Sequence, residues 1–281
     1  DMEVKFFSSR KSGKNTGEIM NWSEWVRPKK EDTQWSPGRS SMLLAQFAFK
    51  DNKQPFAEMI LNIISSCGID TSMIDTLECY PEAYSSLGKG MYSGARNQDL
   101  MVLAINSKSQ KTVIAIGIEA KVSEPFGESL GKAREAQMES RKVEGEYTRA
   151  SKLAKFFADG KDVDAIGYQL FTATMGTMCD ALKNNCTKSI ILVLVFSGDV
   201  SKEHDYDAHC LHNVEDYNAF VNSVCQTKES RGGKLTKRIN MSTPKNKVND
   251  VDCWIRNVEI KVDSSFKHLN FRLICSDNTS C

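Results

Sequence analysis

The longest apolar run in the chain, IILVLVF at 190–196, is too short to cross a bilayer, which takes roughly 18 residues or more. It has the length and β-branched content of a strand covered on both faces. Upstream, DLMVLAI (99–105) and TVIAIGI (112–118) are two further β-rich runs joined by the polar stretch NSKSQK, which predicts a hairpin. Helical spacing marks SSMLLAQFAF (40–49), and a second helix is expected over 55–67, with Pro55 in its first turn and Gly68 as its stop. Further helices are expected at about 127–143, 147–159, 163–183 and 214–224. DCWIRNVEIKV (252–262) and FKHLNFRLIC (266–275) read as closing strands.

Between these elements the pattern weakens. Residues 1–38, which include Trp22, Trp25 and Trp35, predict an irregular arm or short elements wrapped on the body. Residues 74–95 mix strand-like patches with glycines. Residues 226–250 are polar, glycine-containing and basic, and predict a flexible loop. Taken together, the pattern predicts an α/β or α+β sandwich, and of the two an α/β protein with a central mixed sheet flanked by helices is expected. The expected organisation is an arm over 1–38, a core over 39–225, and a basic loop with C-terminal strands over 226–281 packed on that core.

Composition changes this picture little. The chain has 281 residues, 40% hydrophobic and 26% charged, enough for a sizeable core. A net charge of +1 points to no partner by itself. Nine cysteines, an odd number with no C-x-x-C pair, read as reduced thiols serving as small hydrophobes. With no apolar span and no signal-peptide pattern at the N-terminus, the expectation is a cytoplasmic protein with no membrane partner.

Chemistry enters at IGIEAKVSEPFG (116–127), where an apolar strand ends in two charges. Alternation puts Glu119 and Lys121 on one face with Val113, Ala115 and Gly117, while Ile114, Ile116 and Ile118 form the heavier face, expected to meet helices. Asp99 opens the preceding strand, and a hairpin turning at 106–111 brings it beside residue 119. Two carboxylates and an ammonium then converge at one end of the sheet. Hard oxygen ligands of this kind suit Mg²⁺, with Mn²⁺ as the alternative ion, and phosphodiester hydrolysis needs an activated water and relief of charge on phosphorus.

Asp99 followed by Glu119-Ala120-Lys121 resembles the PD-(D/E)XK signature of restriction-endonuclease-like nucleases, with Gln98 standing at the proline position. The resemblance implies a restriction-endonuclease-like core and a metal-dependent nuclease acting on nucleic acid, DNA foremost. It makes Asp99 and Glu119 metal ligands, with the Ala120 carbonyl, and Lys121 the group that supports the attacking water. Gln169, opening the helix after the catalytic strands, would orient Lys121 or the phosphate, and Glu82 is a further candidate ligand. Homodimers are common among such enzymes.

Blocks at 33–45, 80–104, 116–127 and 167–178 also resemble an uncharacterised bacterial family regarded as nuclease-like, over about residues 33–225. Against its pattern, Ala120 replaces a glycine and Gly167 an arginine. Two alternatives stand beside the nuclease reading. One is a catalytically inactive nucleic-acid-binding protein of the same fold. The other is a structural or interaction protein whose charges only join its elements.

Other signals are weaker. Arg39 and Ser40, at a helix start, and Arg96 are candidate phosphate contacts. Lys234, Lys237 and Arg238 belong to a 228–247 stretch with seven basic residues and one acid, which suits a phosphate backbone. Glu58 and Glu124 are lesser site candidates. His204, His209, Cys210 and His212 cluster in an expected surface loop, with spacing that matches no zinc module. SGKNTG (12–17) lacks the leading glycine and strand of a phosphate loop.

Overall fold

A computed structural model describes residues 2–11, 14–28, 34–88, 95–200, 206–229, 232–241, 248–265 and 268–274. Ten strands form one mixed sheet: β1 (Glu3–Lys11), β2 (Lys14–Ile19), β3 (Thr76–Ser86), β4 (Ala95–Asn106), β5 (Lys111–Lys121), β6 (Lys188–Gly198), β7 (Thr227–Glu229), β8 (Gly232–Asn240), β9 (Val248–Ser265) and β10 (His268–Ile274). Their spatial order is β2-β1-β3-β4-β5-β6-β9-β8-β7, with β10 also on β9. The β1/β3, β5/β6 and β6/β9 pairs are parallel, and the others are antiparallel.

Helices cover both faces, so the central strands are apolar on both sides. On one face lie α1 (Ser40–Phe49) and α2 (Gln54–Ser66), packed with Phe6 and Trp25 onto Ile114, Ile116, Ile118, Leu192 and Leu194. The opposite core gathers α3 (Leu130–Arg141), α4 (Arg149–Ala158), α5 (Tyr168–Lys183) and α6 (Tyr206–Val224) over Met101, Leu103, Ala115, Ile191 and Val193. Among the described residues, no helix is long and apolar enough to cross a membrane.

The α/β expectation, with a mixed sheet between helices, holds, and so do the β4–β5 hairpin and β6. Three segments differ from their sequence reading. Residues 3–11 and 14–19 pair as β1 and β2 at a sheet edge, because Val4 and Phe6 extend the parallel register of β3 through Leu77 and Cys79. The expected basic loop contains β8, whose Leu235 and Ile239, four residues apart on one strand face, are buried against β9. Finally, α6 begins at Tyr206 rather than 214, so His209, Cys210 and His212 are helical.

Two adjacent strands share an irregularity that shapes the site. In β4, Leu100 and Val102 face the α1/α2 core while Met101 and Leu103 face the other. Yet Arg96 and Gln98 reach α5, through Thr172 and Thr177. Regular alternation would have sent them the opposite way, so side-chain parity slips by one at Asp99. In β3, Leu77 and Cys79 face α1/α2 and Tyr80 the other core, but Ser85 again reaches α5. That slip falls at Glu82, whose φ of 49° is left-handed and uncommon for a residue with a side chain.

Candidate active site

Continuing the register across the sheet puts the charges on one row. Glu119 pairs with Val193, and Val193 with Asn257. Leu100 pairs with Ile118, so the next position sets Asp99 beside Glu119. Pro81 pairs with Leu100 and Ala83 with Gln98, leaving Glu82 across from Asp99. The parity slips thus occur at partner positions, and both carry acids.

Each group is held by an identifiable contact. The Asp99 carboxylate accepts the Ala120 N–H through Oδ2 at 2.8 Å, standing in for a ladder carbonyl. Glu119 is 1% exposed, and its Oε1 is ion-paired with the Arg96 guanidinium. Arg96 also donates to Thr172 Oγ1 at 3.0 Å. Lys121, nearly buried, donates from Nζ to Gln169 Oε1 at 2.9 Å and lies 5.4 Å from the Phe126 ring centroid.

Gln169 is placed by the EPFG loop. The Phe126 carbonyl accepts the Gln169 N–H at 3.1 Å, and the Glu128 carbonyl accepts that of Tyr168 at 2.9 Å. These bonds satisfy donors in the open first turn of α5 and fix the helix against β5. Gly167 is required there, because a Cβ would stand 2.5 Å from Phe126 Cβ. An arginine at this position has no room.

The acids crowd one another. Burial pushes Asp99 up to about 7, with the Glu119 charge adding to it and Lys121 opposing. Burial pushes Glu82 up to about 8, reinforced by Asp99 and Glu119. Glu124 behaves differently. Burial raises it, but the Val122 N–H at 2.7 Å, its own backbone, Lys121 and the Ser40 hydroxyl at 2.8 Å bring it below the usual range.

Four of the sequence candidates, Asp99, Glu119, Lys121 and Gln169, come together, with Glu82 joining them from β3. Ser40 sits one step away on Glu124, next to the α1 start that Arg39 precedes. Arg96 is not a free phosphate contact, because it is occupied by Glu119 and Thr172. Glu58 accepts from Gln54 Nε2 on exposed α2 surface.

The β8 basics lie elsewhere. Lys237 and Arg238 pair with Val251 and Asp250, six and seven residues before Asn257 on β9. At about 3.3 Å per residue this is about 20 Å from the acidic row. Lys234 bonds Asp252 at 2.8 Å and covers Trp254, and Arg238 meets Asp250 at 3.5 Å. These side chains answer to acids of the same sheet, and the structure does not bring them to the site. Arg231, Lys245 and Lys247 lie outside the described residues, as does His204.

In the histidine cluster, His212 stands 3.7 Å from Asp216 and His209 Nδ1 has no hydrogen-bond partner. Among the described residues, no group of three His, Cys, Asp or Glu side chains is arranged to hold a metal ion. The seven described cysteines are all free.

Sequence reasoning missed the ion pair between Arg96 and Glu119. It also missed a cavity of about 290 Å³ at the carboxyl ends of β5 and β6 and beside the middle of β9, roofed by α6, with Lys121 and Phe126 in its wall.

Residues 15–261 match a protein family described as a domain of unknown function, DUF6946, and the chain belongs to that family. No curated protein and no solved structure matches the chain.

Proposed function

We propose that this chain is a metal-dependent nuclease of PD-(D/E)XK type that hydrolyses phosphodiester bonds, DNA foremost, at the Glu82–Asp99–Glu119–Lys121 row. The observation that carries this reading is the convergence of Asp99 and Glu119 from neighbouring strands beside a lysine held by Gln169. The donor set fits a hard dication. Two acids are pushed up by burial and mutual repulsion. A dication would relieve both. Asp99 and Glu119 would hold it, with the Ala120 carbonyl and Glu82 as further ligands.

Bound Mg²⁺ or Mn²⁺ would supply charge against the phosphate oxygens and ease ionisation of the attacking water. The protein's own groups do the remaining work. Lys121 Nζ, restrained by Gln169 Oε1 and the Phe126 ring, orients that water and offsets charge developing on phosphorus. Arg96 balances the charge of Glu119. The free cysteines accord with a reducing, cytoplasmic setting.

The Arg96–Glu119 contact favours a second reading, a nucleic-acid-binding protein of this fold without turnover. The test is cleavage of a mixed DNA and RNA panel with Mg²⁺ or Mn²⁺. Cleavage is expected, and Glu119→Gln and Lys121→Ala should each reduce it at least ~100-fold with melting temperature nearly kept. Binding without cleavage selects the second reading. Neither cleavage nor a Mn²⁺-dependent rise in Tm overturns both.

A further inference from the structure

The cavity beside Lys121 has a definite chemistry. Its floor is two rows of the parallel strands: Val193 with Asn257, and Lys121 with Val195 and Glu259. Its roof is α6, through Tyr206, Asn213 and Tyr217. Ligands of α/β sheets bind at the carboxyl ends of parallel strands, where this cavity lies. At about 290 Å³ it is at the lower limit of small-molecule sites, sized for a single ring system.

The walls are largely aliphatic and aromatic, and polar features are few. Asn213 is a buried residue whose Nδ2 donates to the Glu124 carbonyl at 3.0 Å, while its Oδ1 receives no hydrogen bond. Asn257 Oδ1 is likewise buried and without a donor. It lies where β9 loses its outer neighbour, between the last β8 pair at Arg256 and the first β10 pair at Glu259. Buried amide oxygens without donors are uncommon and costly, and two of them on residues that line one cavity point to a site that takes N–H donors. Lys121 adds one positive charge at the edge shared with the acidic row.

We propose that this cavity receives a nucleobase bearing an exocyclic amino group, splayed from its strand so that its 5′-phosphate reaches Lys121. A flat ring fills an apolar slot lined by Phe126 and the α6 tyrosines, as extruded bases are commonly held. Guanine, adenine and cytosine carry amino donors for the asparagine oxygens, whereas thymine has no amino group and presents two carbonyl oxygens, a ring N–H and a methyl group. The inference deepens the nuclease reading and rests on it for the role of Lys121. It makes the site selective for the base at the cleaved position.

Binding of dGMP, dAMP, dCMP and TMP to the full chain in EDTA, measured by calorimetry, tests the proposal apart from catalysis. Binding of the amino-bearing nucleotides is expected at least tenfold tighter than that of TMP. Asn257→Leu should remove that preference, and Val214→Trp, on the solvent side of the rim, should block all four. A circular-dichroism melt of each variant confirms that it is folded. Equal binding of all four, no binding, or binding matched by inorganic phosphate overturns the inference. DNA cleavage by a protein that binds no mononucleotide leaves the nuclease reading intact. Selective binding by a protein that never cleaves removes the nuclease reading and keeps the base site.

Discussion

Two polar groups lie under α5 a few residues apart, and they are built on opposite terms. Beneath the helix, Gln98 Nε2 donates to Ser85 Oγ at 3.2 Å and to Thr177 Oγ1 at 3.1 Å. Ser85 donates on to Asp180, and Thr177 to the Ala173 carbonyl at 2.8 Å. None of these buried side-chain atoms is without a partner. The neighbouring acidic row has two carboxylates raised by one another's charge as well as by burial, and a left-handed glutamate, whereas Asp180 in the first group is raised by burial alone. A satisfied network specifies packing, while a self-repelling one persists only where the rest of the fold holds it, as functional sites do. The Gln98 group therefore reads as architecture and the acidic row as a site.

The strongest way to break this contrast is Asp99→Asn. Its amide oxygen can still accept the Ala120 N–H, but a repelled charge is gone. Cleavage should fall at least ~100-fold while Tm at pH 8 rises by about 2 °C or more. The pH dependence follows from the same shifts. Asp99 at about 7 and Glu82 at about 8 lie above their ordinary 3.8 and 4.5, so the native state binds more protons than the unfolded chain between about pH 4 and 8. Their contribution to stability is full at the acidic end and lost as pH rises through 7 and 8. Wild-type Tm should fall between pH 5 and 8.5, and Asp99→Asn should flatten that slope. A lower Tm for Asp99→Asn at pH 8 would mean the acids are structural.

Next in size is Gly117→Ala in the satisfied group. The new Cβ would stand 2.0 Å from Gln98 Oε1 and 2.1 Å from Thr177 Oγ1. Overpacking of this kind costs about 1–3 kcal/mol, seen as a Tm several degrees lower in thermal melts. An unchanged Tm would show the network to be looser than its hydrogen bonds suggest. The smallest effect is expected for Lys237→Ala with Arg238→Ala, remote from both groups. Cleavage should stay within about twofold and Tm within about 1 °C, as for exposed ion pairs. A large loss of DNA affinity in that variant would restore the basic stretch as a contact surface.

The hairpin and the core strand were legible because their apolar runs are long and bounded by polar turns. The site was legible for the same reason, since Glu119 and Lys121 interrupt an otherwise apolar strand. Arg96 was not, because its pairing with Glu119 depends on the parity slip at Asp99, which leaves no periodic mark. The start of α6 was hidden because its first two turns expose Leu211 and bury nothing before Asn213. In β8 only Leu235 and Ile239, four residues apart, mark the buried face, and the basic residues between them masked it.

The slips at Glu82 and Asp99 tie the sheet's length to its contents. Deleting one residue from β4 at Asp99 would restore simple pleating and keep Arg96 and Gln98 toward α5, yet it would shift them by one position against β3. Neither strand can be regularised alone without a mismatch against its neighbour. Insertions and deletions here are therefore tolerable only in matched pairs, which makes this seam a more rigid landmark for recognising kin of this chain than any one of its side chains.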